Sequence, residues 1–328
     1  MGEAHRPPGQ DPEPDRPDVA VEVLARRPRP GHARGGRGGF GLSGLFGFVQ
    51  LEFPWELGPA DGRYVVRGHA GEPTHVVVLA GQTAASQGAL GRRRRRSPGP
   101  RAIAPQPPPT AVRTTRATLI AARPFAAPGD AERWLDGVDG EQETATAIAA
   151  LNGLLHLHRT ATADPAVREV TRGQAIVARV GIGAGEQVAD GRWARAFELP
   201  RPTAPPRRSA ALRPDERLAA MLSGRDAALA CEELAIRARA DVAAGRHREA
   251  ALQLQVALAA ALRELTPWGP RGDLAARIDE LRALQPAADA AAAAALEGGL
   301  DDDATADVER VLARLEAALR ARSVVGFD

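Results

Sequence analysis

The chain has 328 residues, with 43 arginines, no lysine and 41 acidic residues, for a net charge of +2. The single cysteine, Cys231, excludes an internal disulfide framework. No run approaches the ~20 apolar residues that a membrane-crossing helix needs, and without lysine there is no G-x-x-x-x-G-K-[ST] phosphate loop.

Alanine, arginine, glycine and proline dominate, as in chains encoded at high GC content, so an alanine run or an arginine cluster carries less weight here than elsewhere. The stretch "GFGLSGLFGFVQLEFPW" follows arginines as a signal peptide would. It lies far from Met1, lacks a small-residue cleavage site and carries Glu52. The expectation is a soluble, cytoplasmic protein without membrane contact.

Residues 1–38 are proline, arginine and glycine with few apolar anchors and read as a disordered arm. Val19 to Ala25 is the exception, a short strand. An α+β domain is expected over 39–200. "LFGFVQLEF" alternates as a strand, with Phe46, Phe48 and Gln50 on one face and Val49, Leu51 and Phe53 on the other. Arg63 to Arg67 and Thr74 to Gly81 follow after turn residues, which suggests an antiparallel meander of three neighbours. A proline- and arginine-rich loop is expected at about 82–115.

Arg116 to Phe125 is a fourth strand, and Glu143 to Arg159 has helical spacing at Ile148, Leu151, Leu154 and Leu155. Gln174 to Ile182 and Arg192 to Pro200 complete the sheet. A linker at 201–213 leads to an all-α helical-hairpin domain over 214–328. Gly224 and Gly245 mark helix stops, Asp273 an N-cap and Pro286 a helix end. Val308, Val311, Leu312, Leu315 and Leu319 form one stripe of the last helix.

The glycines Gly181, Gly183 and Gly185 raise the question of a nucleotide loop. A dinucleotide fingerprint needs G-x-G-x-x-G opening a helix; here the spacing is G-x-G-x-G and the following "EQVADGRW" reads as a hairpin. The glycines are therefore assigned to backbone geometry. Should the region bind a ligand, Trp55, Arg63, Glu186, Arg192 and Trp193 are the contact candidates. Trp55 lies between Glu52 and Glu56, which read as solvated carboxylates around a packed ring.

His156 and His158, two apart on a helix, point about 200° from each other and cannot share a metal. His69 and His75 read as exposed turn residues and Cys231 as a buried thiol. No metal or cofactor is implied. Arg92, Arg93, Arg94, Arg95 and Arg96 are the polyanion candidates, since guanidinium groups pair phosphates bidentately. They carry no interleaved aromatics, so base stacking is not implied.

The segment from Cys231 to Leu265 loosely resembles a tetratricopeptide unit. Ala238, the turn at Gly245, and Ala250, Leu254 and Ala257 carry the likeness. Asp241 replaces the usual aromatic and there is a single copy, so the resemblance implies a helix hairpin and no solenoid groove.

The leading functional expectation is a non-enzymatic interaction or scaffold protein that docks a partner, or itself, through its helical domain. A polyanion or nucleic-acid binder acting through the arginine block is the first alternative. An enzyme with a site near the Gly181–Gly185 loop is the second.

Overall fold

The computed structural model describes residues 21–24, 44–68, 70–83, 113–202 and 214–325. The rest of the expected arm, His69, Arg92 to Arg96 and the linker residues 203–213 lie outside the described residues. The fold is α+β, and the chain divides into two compact units on either side of Thr203 and Ala204.

The first unit holds one antiparallel sheet. Its strands are β1 (Val21–Leu24), β2 (Leu45–Phe53), β3 (Gly62–Arg67), β4 (Pro73–Thr83), β5 (Arg113–Ala121), β6 (Val177–Ala184) and β7 (Arg195–Glu198). The order across the sheet is β1-β3-β4-β5-β2-β6-β7. The expected meander of the first three long strands is therefore corrected. β3, β4 and β5 are consecutive neighbours, but β2 is inserted between β5 and β6.

The reason is burial. Seven of the nine residues of β2 are buried, so both of its faces are covered, which suits a strand in the middle of the sheet, paired on both edges by β5 and β6, better than one at its margin. β4 runs longer than expected, and β5 begins earlier, at Arg113, and ends earlier, at Ala121, the two pairing as far as Thr83 with Arg113.

Helices α1 (Pro128–Gly137) and α2 (Gly140–Thr162) cover one face. Leu135, Ile148, Leu151 and Leu155 meet Leu51, Phe53, Leu79, Leu119 and Ile182 there. Asp139 caps α2 by accepting from the amides of Glu141 (3.0 Å) and Gln142 (3.1 Å). Asn152, the only asparagine, bonds Val170 in both directions at 2.9 and 2.8 Å and fixes the return toward β6.

The second unit contains α3 (Pro214–Leu222), α4 (Ala230–Ala243), α5 (His247–Glu264), α6 (Leu274–Glu297) and α7 (Asp302–Val325). Small residues line the contacts: Cys231, Ala235 and Ala238 on α4, Ala250, Ala257 and Ala261 on α5, and Ala288, Ala291 and Ala295 on α6. They bring helix axes close, while Leu254, Leu258, Leu281, Leu312 and Leu315 fill the centre.

The hairpin of α4 and α5 is present. However, α7 packs against α4 as well as against α5 and α6. The four helices close on themselves, as in an antiparallel bundle rather than an open repeat.

Side chains also tie helix ends together. Glu264, at the end of α5, accepts from the amides of Ala230 (3.2 Å) and Cys231 (3.0 Å), the otherwise unsatisfied start of α4. Arg248 donates to the Ala295 carbonyl near the end of α6 at 2.9 and 3.0 Å.

Two terminal signals read differently in the structure. Asp273 stands at the N-cap of α6, but its carboxylate pairs with Arg277 at 2.7 Å instead of with backbone amides. Pro286 does not end the helix: α6 runs through it, because Leu281 before it and Ala288, Ala291 and Ala295 after it all belong to one buried stripe.

A charge cluster joins α3, α4 and α7. Arg217 reaches Glu232 at 2.5 Å and Asp226 at 3.2 Å; Arg322, 3% exposed, pairs with the same two carboxylates and lies 4.7 Å from the Trp268 ring centre. Burial alone would raise the Asp226 carboxyl, but hydrogen bonds from Arg322 and Arg217 outweigh it and hold it below the ordinary value.

Pro286→Ala returns an N–H donor to the Arg282 carbonyl and is expected to stabilise the helical unit by about 2 kcal/mol, read as a higher urea midpoint of the helical circular dichroism signal. Asp226 supplies stability that is fully present above the unfolded carboxylate value and disappears as pH falls through its lower folded value. Thermal midpoints should therefore hold steady from neutrality to about pH 5 and drop below about pH 4. The drop should be shallower in Asp226→Asn; superimposable profiles would remove this residue from the explanation.

Candidate functional site

The face of the sheet opposite α1 and α2 is organised in cross-strand rows. One row is apolar: Val65, Val76, Ile120, Phe48, Gly181 and Ala196 stand opposite one another in turn. The next is polar but for Val78: Arg63, Val78, Thr118, Gln50, Arg179 and Glu198.

The chain between β6 and β7 folds back over the apolar row. It forms a six-residue 3-10 turn, Gly185–Asp190, where the sequence suggested a plain hairpin. Val188 is buried against Phe46, Phe48 and Ile120, and the Trp193 ring lies 5.8 Å from that of Phe48.

The three glycines make this fold-back sterically feasible. A Cβ at Gly181 would lie 2.6 Å from Ala196 Cβ, and one at Gly183 would run into Val188 Cγ1. Gly185 has φ +56°, the left-handed region that turns the strand into the 3-10 segment.

Thr118, Gln50, Arg179 and Glu198 of this row form one hydrogen-bonded network. Buried Gln50 donates to Thr118 Oγ1 at 3.1 Å and to the Val188 carbonyl at 3.3 Å, and accepts from Arg179 at 3.2 Å. Arg179 also donates to Glu198 and to Glu52, both at 3.2 Å, and its guanidinium lies 6.0 Å from the centre of the Trp193 ring. Arg116 adds two bonds to Glu52, at 2.9 and 3.1 Å. Glu52 is thus a tightly paired carboxylate and not the solvated one expected, because alternation along β2 puts it on the Gln50 face.

At the end of this face lies an open cleft of about 660 Å³. Glu56, Asp61, Arg63, Val78, Arg113 and Asp190 contribute to its walls. Their charges are engaged locally: Glu56 with Arg113, Arg63 with Glu186, and Asp61 with the Gly81 amide at 2.8 Å. Gly185 is buried, and the cleft meets the 3-10 turn only at Asp190, its other end. A phosphate therefore has no open helix N-terminus here.

Of the ligand-contact candidates, the structure brings Arg63 and Glu186 together as an ion pair. Arg192 pairs with Asp190 at 3.1 Å on the exposed rim. Trp193 is half-buried on the apolar row, away from the walls of the cleft. The Trp55 ring lies 5.6 Å from that of Phe53, tilted by 55°, beyond the end of β2 and does not line the cleft. Glu52 and Glu56 go to separate arginines rather than forming an acid–base pair.

His75 is not an exposed turn residue. It lies within β4, half-buried, and burial pulls its pKa down. His156 and His158 lie on α2, with His156 Nδ1 3.2 Å from Arg159. Cys231 is fully buried; burial first, then the neighbouring Glu264 carboxylate, push its thiol pKa up, the opposite of an activated nucleophile. Among the described residues there is no cluster suited to a metal ion and no helix long and apolar enough to cross a membrane.

Sequence reasoning missed Arg179 and Arg116 as organisers of this face. The available signal was Gln50, a polar residue in phase with Phe46 and Phe48, which needs buried partners. No family model, no curated protein and no solved structure matches this chain.

Gly183→Ala is expected to displace Val188 and the 3-10 turn, at a cost of about 1–3 kcal/mol, seen as a lower denaturation midpoint. A shift in tryptophan fluorescence that is absent when the same substitution is made with Trp193→Phe would tie the change to this turn.

Proposed function

We propose that this is a non-enzymatic interaction protein whose helical unit docks a protein partner or a second copy of the chain. The supporting observation is where large apolar side chains meet solvent. Leu218, Leu222, Ile236, Val256 and Leu296 lie on the helical unit and are 55–80% exposed, whereas Trp55 and Phe197 on the sheet unit reach only 38% and 37%. Adjoining exposed apolar side chains favour an interaction site, and Leu218 and Leu222, four apart, share one face of α3.

The catalytic alternative draws less support, because the charged groups of the cleft are each engaged by a local partner instead of standing ready as acid or base. The polyanion alternative rests on Arg92 to Arg96 alone.

Light scattering on the full chain, alongside the variant Leu218→Asp/Leu222→Asp, tests the reading. A mass near twice 34.5 kDa that halves in the variant supports self-association. A partner retained by the wild-type chain and lost by the variant supports docking. A monomer whose retained proteins are identical with and without the substitutions would overturn the proposal.

A further inference from the structure

We infer that α3 is a latch, held on the helical unit mainly through one guanidinium group and able to open while α4 to α7 stay folded. This does not rest on the interaction reading above, and it concerns the attachment of α3 rather than what its outer face meets.

Three observations carry it. First, no residue of α3 belongs to the apolar core of the helical unit, which draws on α4, α5, α6 and α7. Ala220 is its one buried side chain, and a methyl group contributes little apolar area. Leu218 and Leu222 point to solvent at 55% and 80% exposure.

Second, Arg217 ties α3 to the bundle through its side chain. It donates to both oxygens of Glu232, at 2.5 and 2.6 Å, and to Asp226 at 3.2 Å.

Third, both carboxylates are held independently by Arg322 of α7, and Glu232 also accepts from the Leu229 amide at 3.0 Å. Withdrawing Arg217 therefore leaves each acidic group with a partner. It also returns both to water, which lifts the penalty that a buried, half-paired cluster would otherwise impose. α3 ends in a glycine cap, with Gly224 at φ +75° and the amides of Arg225 and Asp226 donating to the Ala220 carbonyl at 2.9 and 3.2 Å; these local bonds shape the turn out of α3 and do not fasten its outer turns to the bundle.

Hydrogen exchange by mass spectrometry on the full chain separates a latch from an integral helix. In Arg217→Gln, amides of 214–222 should exchange at least about tenfold faster while those of 230–325 keep their protection. Arg217→Lys, which retains the charge but not the planar fork, should lie between wild type and Arg217→Gln. Ala219→Gln, altered at an exposed position of the same helix, should match wild type. If Arg217→Gln raised exchange across 230–325 together with α3, the helix would be integral to the bundle. If α3 kept its protection, the arginine would not be what holds it. Either result overturns the inference.

Discussion

The sheet unit is governed by the burial of β2 on both faces. A strand with seven of nine residues out of water needs cover above and below, and the two covers differ. One is the pair α1 and α2, an ordinary helical layer over alternating apolar residues. The other is a short 3-10 turn and one tryptophan, close enough to require glycine at position 183 beneath them, while Gly181 makes room for Ala196 of β7. Because β2 also carries Gln50 and Glu52 toward that thin cover, their polar atoms need partners in place of water. Arg179 and Arg116 supply them. The glycine spacing, the arginines of β5 and β6 and the placement of Trp193 thus follow from one requirement.

The helical unit meets the same requirement by different means. Its alanines allow close approach of helices but offer little area each, so leucines at the centre and charged ties at the ends share the task. Glu264 on the start of α4 and Arg248 on the end of α6 satisfy backbone groups that a helix leaves open. The pairing of Asp226 and Glu232 with two arginines is a balanced cluster: each anion faces two cations and each cation two anions.

Much of the fold was legible because it depends on local chemistry. The alternation in "LFGFVQLEF", the helical spacing of Ile148 to Leu155 and the stripe from Val308 to Leu319 each report which side is buried. Gly224 and Gly245 act where their missing Cβ permits left-handed backbone. The errors arose where packing overruled such signals. Pro286 stays inside a helix because apolar residues on both sides of it share one stripe. β2 leaves β3 because its double burial selects a central position, and strand order is invisible to periodicity.

The candidate site was legible only in part, for the same reason. Sequence alone determined the strands, the helices, the face of β2 that carries Gln50 and the backbone role of the glycines, since each depends on a residue and its near neighbours. Tertiary structure alone decided that Arg63 would meet Glu186, 123 positions apart in the chain, that Arg179 would reach Gln50, and that Trp55 would stay apart from Trp193. Those meetings depend on which strands lie side by side, and that is fixed by how two buried faces are covered at once, a property of the whole sheet.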